Sequence, residues 1–580
     1  MVRPLPSYTQ MISPSPAPQG HDVRNRDQYI KLLAAAATSV IILSFWASVL
    51  FCFRPSPSAP SWITFECTYP RQEPVFTMPQ DCPSNYADYA KSFHEPGSGG
   101  PLNLSFQRPI EACRKFTSDV INTVIDTISS KMANVDLARL FTNAFPNTLD
   151  TTIQGVACLN NQTATDCNPL AFIITGDINA MWLRDSANQL MPYLEYVNQD
   201  WNLKRLFLGA IYMQAQFIQL DPYANAFNEP ASMDALARNS YSNLSRREVP
   251  MKEGVYERKW EVDSLASFLS LSYNYWSTTG DDSFVDSTVW LDAVDQVIKT
   301  VKEQQEPTFD PATGKPLDTF YTFSQQTDRP TETQFLDGRG NPVKRTGMVK
   351  SLFRPSDDAT VYPFFIPGNA MISVELGHVS QLLEKTAERS SKQKQRMQVM
   401  ANETQALSKE IRDAIFTYGI TTVPGYDKVF AFEVDGYGST LIMDDANMPS
   451  LLSLSMIGFI DSMDPIYQST RKLVLSRDNP YYFSGPRARG IGGPHIGLDY
   501  AWPMSQIVRI LSSQDDAEIK EALDIILHST DGTGLIHESV NVYDDDKEKY
   551  TRPWFAWVNG LFGQAILKIA KERPYLIFKE

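Results

Sequence analysis

Cysteine is sparse, six in 580 residues, and the chain contains neither a C-x-x-C nor an H-E-x-x-H spacing. The patterns that usually hold a structural or catalytic metal are therefore missing, and no metal or other cofactor is signalled. Positive charge is short as well: 52 Lys and Arg stand against 67 Asp and Glu, a formal net charge of −15. Such a balance repels phosphates and argues against a nucleic-acid partner. It also fits a soluble domain in a mildly acidic compartment. Beyond residue 100 no linker is long enough to divide domains, and no repeat of fixed length appears. Apolar residues are plentiful, at 43%, and the length allows a large core.

One apolar run stands apart. Leu32 to Phe53 carries no charge over 22 residues, enough to span a bilayer. Arg24, Arg26 and Lys31 precede it; Arg54 and the Pro/Ser stretch Pro55 to Pro60 follow. Cations ahead of the run place the N-terminus in the cytosol. With about 30 mostly polar residues upstream, the run is expected to be an uncleaved signal-anchor of a type II protein. A cleaved signal peptide, leaving a secreted protein, is the alternative. The expected organisation is a disordered cytosolic tail (1–31), a transmembrane helix (32–53), a lumenal stem (54–100) and a catalytic domain (101–580) in a secretory-pathway membrane, facing the lumen or the exterior. The stem ends at the flexible Pro96-Gly97-Ser98-Gly99-Gly100. Four N-x-S/T sequons, at Asn103, Asn161, Asn243 and Asn402, agree with exposure to the glycosylating side. Cys158 and Cys167 bracket a short polar loop and are the expected disulfide; Cys67 with Cys82 is a second candidate pair, and Cys113 is expected as a buried free thiol.

From residue 101 onward the pattern is mainly helical. Ile110 to Met132, Leu203 to Leu220, Trp290 to Val301 and Ile519 to Leu527 space their apolar residues at helical intervals. Gln395 to Phe416 is more charged and reads as an outer helix, and about a dozen helices are expected in all. Strand-like pieces, such as Lys428 to Val434 and Gly534 to Val542, are few, and Pro307 to Lys350 reads as a long polar loop. Six motifs rich in acidic and aromatic residues each stand just ahead of an apolar helical stretch: Met181 to Ser186, Trp260 to Leu265, Arg354 to Ala359 with Pro367-Gly368-Asn369, Met443 to Asn447, Gly497 to Trp502, and Arg552 to Trp557. If six helix starts converge, they build one polar pocket. Alternating motif-bearing and plain helices predict an (α/α)6 toroid with a few short strands. A helical solenoid would show equal repeat intervals, and the intervals here are unequal.

Carboxylates beside aromatics suit a sugar, which offers flat faces for stacking and hydroxyls for hydrogen bonding. Glycoside hydrolysis needs two carboxyl groups about the scissile bond. Asp357-Asp358 is one candidate pair, where mutual repulsion and burial would keep a proton on one member; a helix cap with a solvated neighbour is the alternative. Glu538, in the apolar stretch Gly534 to Val540, needs partners if buried, and His537 and Arg552 are within reach in sequence. Trp182, Arg184, Asp185, Asp263, Asp444, Asp445, His495 and Arg552 are candidate sugar ligands, each with a structural alternative as ion pair, cap, core residue or exposed loop residue. Trp502, Trp554 and Trp557 are further candidates for sugar-stacking floors.

Gly176 to Ser186 resembles the opening signature of glycoside hydrolase family 125, the metal-independent exo-α-1,6-mannosidases. Phe353 to Ala359, Met443 to Leu452, Gly490 to His495, and Leu535 to Ser539 running on to Thr551–Trp557 resemble its later motifs, in the family's order, over roughly residues 105–575. The resemblance implies an (α/α)6 barrel and an inverting mechanism on mannose-containing glycans without a cofactor. The general acid falls on Asp357 or its neighbour Asp358, the general base on Glu538, and sugar binding on Arg184, Asp185, Asp444 and His495. The chain departs from bacterial members in its N-terminal tail and anchor, its longer 307–350 region, and the Ile496-Gly497-Leu498-Asp499 that follows His495. Anchor and sequons together suggest a fungal-type member trimming N-glycans or wall mannan. A toroid acting on α-glucosides, and a catalytically silent glycan-binding protein, are the competing readings. Oligomeric state is not legible.

Overall fold

A computed structural model describes residues 82–158, 168–230, 251–390, 392–543 and 548–579. Twelve α-helices of eight residues or more lie among the described residues: α1 (Asp119–Lys131), α2 (Val135–Ala144), α3 (Leu183–Leu190), α4 (Trp201–Leu220), α5 (Val262–Thr279), α6 (Thr288–Gln304), α7 (Ile366–Arg389), α8 (Lys394–Tyr418), α9 (Pro465–Val474), α10 (Pro503–Ser512), α11 (Asp516–His528) and α12 (Ala556–Glu572). Helix α12 packs on α3, α3 on α5, α5 on α7, and α10 on α12. These five are inner helices. A turn-rich segment, 450–460, takes the fourth inner place in chain order, with its backbone closed by Ser453 N–H to Ser450 O (3.1 Å) and Ile457 N–H to Ser453 O (3.0 Å). Around them α2 lies on α12, α8 on α7 and α11 on α10, while α4 packs on α6. The result is a mainly helical toroid of six inner and six outer elements, with α1 added beside α2.

Burial explains the division of labour. Inner helices are closed in on most sides: α5 buries Val262, Leu265, Phe268, Leu269 and Leu271, and it stops at Gly280, whose φ of +69° a residue with a Cβ would adopt only under strain. Outer helices show one apolar stripe; α11 buries Ile519, Ala522, Leu523, Ile526 and Leu527 and leaves its charges outside. Truncating one such buried Leu or Ile to Ala costs about 2–5 kcal/mol. Capping divides the same way only in part, since outer α6 and α8 also begin without a side-chain cap bond. Ser118, Asn134, Asp200, Asp464 and Asp515 cap α1, α2, α4, α9 and α11 with side-chain oxygens. All five regular inner helices begin at Trp182, Glu261, Phe365, Trp502 or Phe555, without a side-chain cap bond. Their first-turn N–H groups favour negative charge nearby.

Short antiparallel sheets hold the loops at that end. The strand Ser539–Asn541 is central between Tyr500–Ala501 and Tyr550–Thr551, with Ser539 opposite Thr551. This register sets Glu538 beside Arg552. A second sheet orders Met181–Trp182, Ala226–Phe227 and Val255–Glu257, and a third orders Thr440–Leu441, Glu433–Val434 and Phe364–Phe365.

Several expectations shift in detail. Helix α1 begins at Ser118 rather than near Ile110, because the Ser118 hydroxyl accepts from Ile121 N–H and Arg114 leads in through extended backbone. Residues 82–100, expected as the end of a stem, pack on the helical body: the buried Tyr86 donates to Gln107 O (2.7 Å) and meets Trp554 edge-on at 4.8 Å. Cys113 is not a free thiol but pairs with Cys82, at a Cα–Cα distance of 5.4 Å, which also removes Cys82 from a pairing with Cys67. The Cys158–Cys167 pairing lies outside the described residues, as do the tail, the span Leu32–Phe53, Asn161 and Asn243. Asn103 and Asn402 are exposed. Among the described residues no helix is long and apolar enough to cross a membrane.

Candidate active site

The six motifs meet at one end of the toroid, around a cavity of about 370 Å³. Trp182, Arg184 and Asp185 come from the start of α3, Ser356 and Asp357 from the loop before α7, and Asn447 from the loop before the irregular inner segment. His495 and Trp502 come from the approach to α10, and Glu538, Arg552, Phe555 and Trp557 from the approach to α12 and its first turn. Of the second motif, Glu261 and Asp263 lie behind this lining and act through Arg184. That guanidinium is buried and reaches four carboxylates: Glu261 at 2.5 Å, Asp263 and Asp185 at 3.3 Å, and Asp357 at 4.0 Å.

Asp357 and Asp358 have different surroundings. The turn is closed by Asp357 N–H to Arg354 O (2.9 Å) and Arg354 N–H to Asp358 O (2.8 Å), and Asp357 takes a left-handed φ of +65°. Glu433 pins this turn, pairing with Arg354 at 2.6 Å and accepting from Val361 and Tyr362 N–H. Asp357 lines the cavity with its side chain 26% exposed. Asp358 is sealed behind it, accepting from Ser356 Oγ (3.4 Å) and standing 3.6 Å from His495 Nδ1. Burial opposes the His495 imidazolium, but the contact with Asp358, then the charges of Glu538 and Asp357, outweigh it and raise the pKa to about 9.

Glu538 is buried against Arg552, 3.5 Å away, and accepts from the Thr551 hydroxyl at 2.8 Å. Arg552 also binds Asp177 (Nε to Oδ1, 2.9 Å) and lies over the Phe555 ring. His537 does not partner Glu538. His537 stacks on Tyr550 at 3.7 Å, bonded to Thr530 and Thr533, while burial lowers its pKa to about 4.

Three expected sugar ligands do not line the cavity. Asp444 accepts from Leu451 and Leu452 N–H (2.8 and 3.0 Å), so its two oxygens anchor the start of the irregular inner segment. Asp445 accepts from Ser356 Oγ (2.7 Å) and braces the Asp357 turn. Burial dominates both, pushing Asp444 up to about 8 and Asp445 to about 6. Asp263 serves Arg184. Trp554 is core, its Nε1–H donating to Thr151. The glycines before His495 answer to close approach: a Cβ on Gly492 would stand 2.1 Å from the Tyr500 carbonyl oxygen.

Sequence reasoning passed over Glu257, Lys259, Asn225 and the role of Glu261. Lys259 pairs with Glu257 at 3.2 Å. Asn225 donates to Glu257 (2.8 Å), Glu261 (3.3 Å) and Asp357 (3.3 Å). The alternating charges of Glu257, Lys259 and Glu261 on an otherwise buried approach to α5 were the available signal. The cavity lining also has buried polar atoms with no hydrogen-bond partner in the protein: Nε1 of Trp182, Trp502 and Trp557, and Nε of Arg184. Unpartnered buried polar groups are costly, and their concentration here suits a ligand rich in hydroxyls. Among the described residues no group of His, Cys, Asp or Glu is arranged to hold a metal ion.

A helical toroid whose inner-helix starts bring carboxyls and indoles into one small polar cavity is the architecture of a glycoside hydrolase. Residues 134–567 match the model of the metal-independent α-mannosidases, GH125, and the chain belongs to that family. It is therefore an α-mannosidase by family. It is 47% identical over 502 residues to the meiotically up-regulated gene 157 protein of Schizosaccharomyces pombe, covering 86% of this chain and 94% of that one. A solved metal-independent α-mannosidase from Streptococcus pneumoniae, in a non-productive complex with α-1,6-mannobiose, is 33% identical with a TM-score of 0.68, over 79% of this chain and 100% of that one.

Proposed function

We propose that this α-mannosidase is exo-acting and inverting, removing terminal α-1,6-linked mannose from glycans, with Asp357 as general acid and Glu538 as general base. The observation that supports it is the placement of both carboxyls on the lining of one cavity. Asp185, Arg184 and the indole N–H groups of Trp182, Trp502 and Trp557 take the hydroxyls. Asp357 gives its proton to the glycosidic oxygen as the C1–O bond breaks. A water attacks C1 from the other face and yields a proton to Glu538, which Thr551 and Arg552 keep oriented. The ligand of the S. pneumoniae relative supports the α-1,6 linkage. The apolar run Leu32–Phe53 and the exposed Asn103 and Asn402 support a type II membrane enzyme with this domain on the lumenal or outer side.

The test is full-length protein in detergent with α-1,6-mannobiose, following the released anomer by NMR, with and without chelator. Immediate release of β-mannose, unaffected by chelator, is expected. Release of α-mannose would overturn inversion; no release, with cleavage of another α-mannoside, would overturn the linkage.

A further inference from the structure

We propose that Glu261 is the proton partner of the acid: the Glu261 and Asp357 carboxyls hold one proton between them, which rests on Glu261 and passes to Asp357 when a sugar covers the cavity. The inference rests on Asp357 being the general acid, as read above.

Charge and geometry lead to it. Five carboxylates (Asp185, Glu257, Glu261, Asp263 and Asp357) surround two cations, Arg184 and Lys259. Three negative charges are left over in a cluster that is otherwise sealed, so a fully ionised state is strongly disfavoured. The Asn225 amide sits at the centre. Its Oδ1 accepts from Lys259 N–H (3.1 Å), which fixes its orientation and turns Nδ2 to the carboxylates. Nδ2 carries two hydrogens but faces oxygens of three residues: Glu257, Glu261 and Asp357. A proton between Glu261 and Asp357 relieves that shortage, since these two carboxyls meet at the same Asn225 Nδ2 and both face Arg184.

The two members differ in what water can do for them. Glu261 is fully buried, close to Arg184 and Ser264; Asp357 is partly open to the cavity. Burial, above all, drives Glu261 well above the ordinary carboxylate range; Arg184 opposes this, and the charges of Asp357 and Asp263 add to it. Burial also raises Asp357, but Lys259, Arg184, the Glu261 hydrogen bond and His495 together carry it below its usual value. The resting proton is therefore on Glu261. A sugar over the cavity removes the water that stabilises ionised Asp357 and offers a glycosidic oxygen instead. The proton then moves from the Glu261 carboxyl to Asp357 and on to that oxygen, which leaves with the electron pair of the C1–O bond. Water supplies the new bond at C1, its proton goes to Glu538, and exchange with solvent restores the pair. Glu261 never touches the substrate, so it is a positioning residue.

The experiment is the pH profile of kcat/KM on α-1,6-mannobiose for the full-length enzyme and two variants. Loss of the general acid's proton sets the alkaline limb. Glu261→Gln removes the competing carboxylate and leaves Asp357 facing Lys259 and Arg184, so that limb should move down by about 1–3 pH units, the usual effect of a neighbouring cation on an Asp. The acid limb should stay. Asn225→Ser removes an N–H that favours ionised carboxylates, so it should move the alkaline limb up. A purely structural Glu261 would lower the rate at all pH values and leave both limbs in place, which would overturn the proposal. If Glu261→Gln does not fold, an unmoved limb in Asn225→Ser overturns it instead. Asp357→Asn separates this from failure of the underlying reading: a true acid variant loses mannobiose turnover and keeps that of a dinitrophenyl α-mannoside, whereas equal losses would remove Asp357 as the acid.

Discussion

Arg184 is the residue whose loss should reveal most about how this cavity is held together. The perturbation is Arg184→Met, which keeps the stem and removes the charge. In the native protein the guanidinium is buried among Glu261, Asp263, Asp185 and Asp357, at 2.5 to 4.0 Å. At an effective dielectric near 20 the Asp263 pair alone, at 3.3 Å, corresponds to about 5 kcal/mol of gross attraction. Most of that is offset by the desolvation of both partners, and breaking a buried pair from one side costs a net ~3–5 kcal/mol. The variant leaves only Lys259 among the five carboxylates, so the expected loss lies in that range near neutral pH. Its pH dependence has a definite sign. Without Arg184 the folded carboxyls bind protons more readily than unfolded ones, so acidification neutralises them and part of the loss is recovered. Urea titrations of both proteins at about pH 8 and about pH 5 measure this, with the larger gap expected at the higher pH. A loss below about 1 kcal/mol, or an equal loss at both pH values, would mean the carboxylates do not depend on Arg184 and would refute the charge arithmetic. Activity should be lost in either case, since Asp185 and Asp357 would no longer be placed.

Three more outcomes follow from the same geometry. Asp357→Asn and Glu538→Gln should each lower kcat on α-1,6-mannobiose by about 10²–10⁴-fold, and steady-state assays with near-native circular dichroism check this; retained activity in either would remove that residue from its role. His495, with a folded pKa raised to about 9, should contribute stability that is complete below its unfolded pKa, about 6.5, and is lost as pH rises through about 9. Thermal melts across that window should show a fall that His495→Asn abolishes. The Cys82–Cys113 bridge, 31 residues apart in sequence, should be worth about 3–4 kcal/mol by loop entropy; unfolding of the double Ser variant with and without reductant measures it, and no difference from the parent would show that residues 82–113 are held by packing alone.

The six motifs were legible because the site is built where the chain enters its inner helices, and those entries are forced to combine polar residues with an apolar run. The helical periods of α4, α6, α8 and α11 were legible for the usual reason, that burial repeats every turn. What stayed hidden was which way each carboxyl turns. Asp357 and Asp358 are equivalent in sequence; a left-handed φ at one of them sends it to the cavity and leaves the other to Ser356 and His495. Glu261 reads as an ordinary helix start, and it does stand at the N-cap of α5, but its side chain makes no cap bond and turns to Arg184 instead. Asp444 and Asp445 share the motif style of sugar ligands, yet their oxygens are taken by backbone amides and a serine. His537 and Glu538 are adjacent, yet one turns to Thr530 and Tyr550 and the other to Thr551 and Arg552. In each case the residue type announced a buried polar group, and only the three-dimensional arrangement decided whether its partner was protein or substrate. Buried polar atoms without a hydrogen-bond partner occur elsewhere in the body too, as at Gln214 Oε1 and Arg471 Nε, so what marks the site is that those of Trp182, Arg184, Trp502 and Trp557 share one cavity with Asp357 and Glu538.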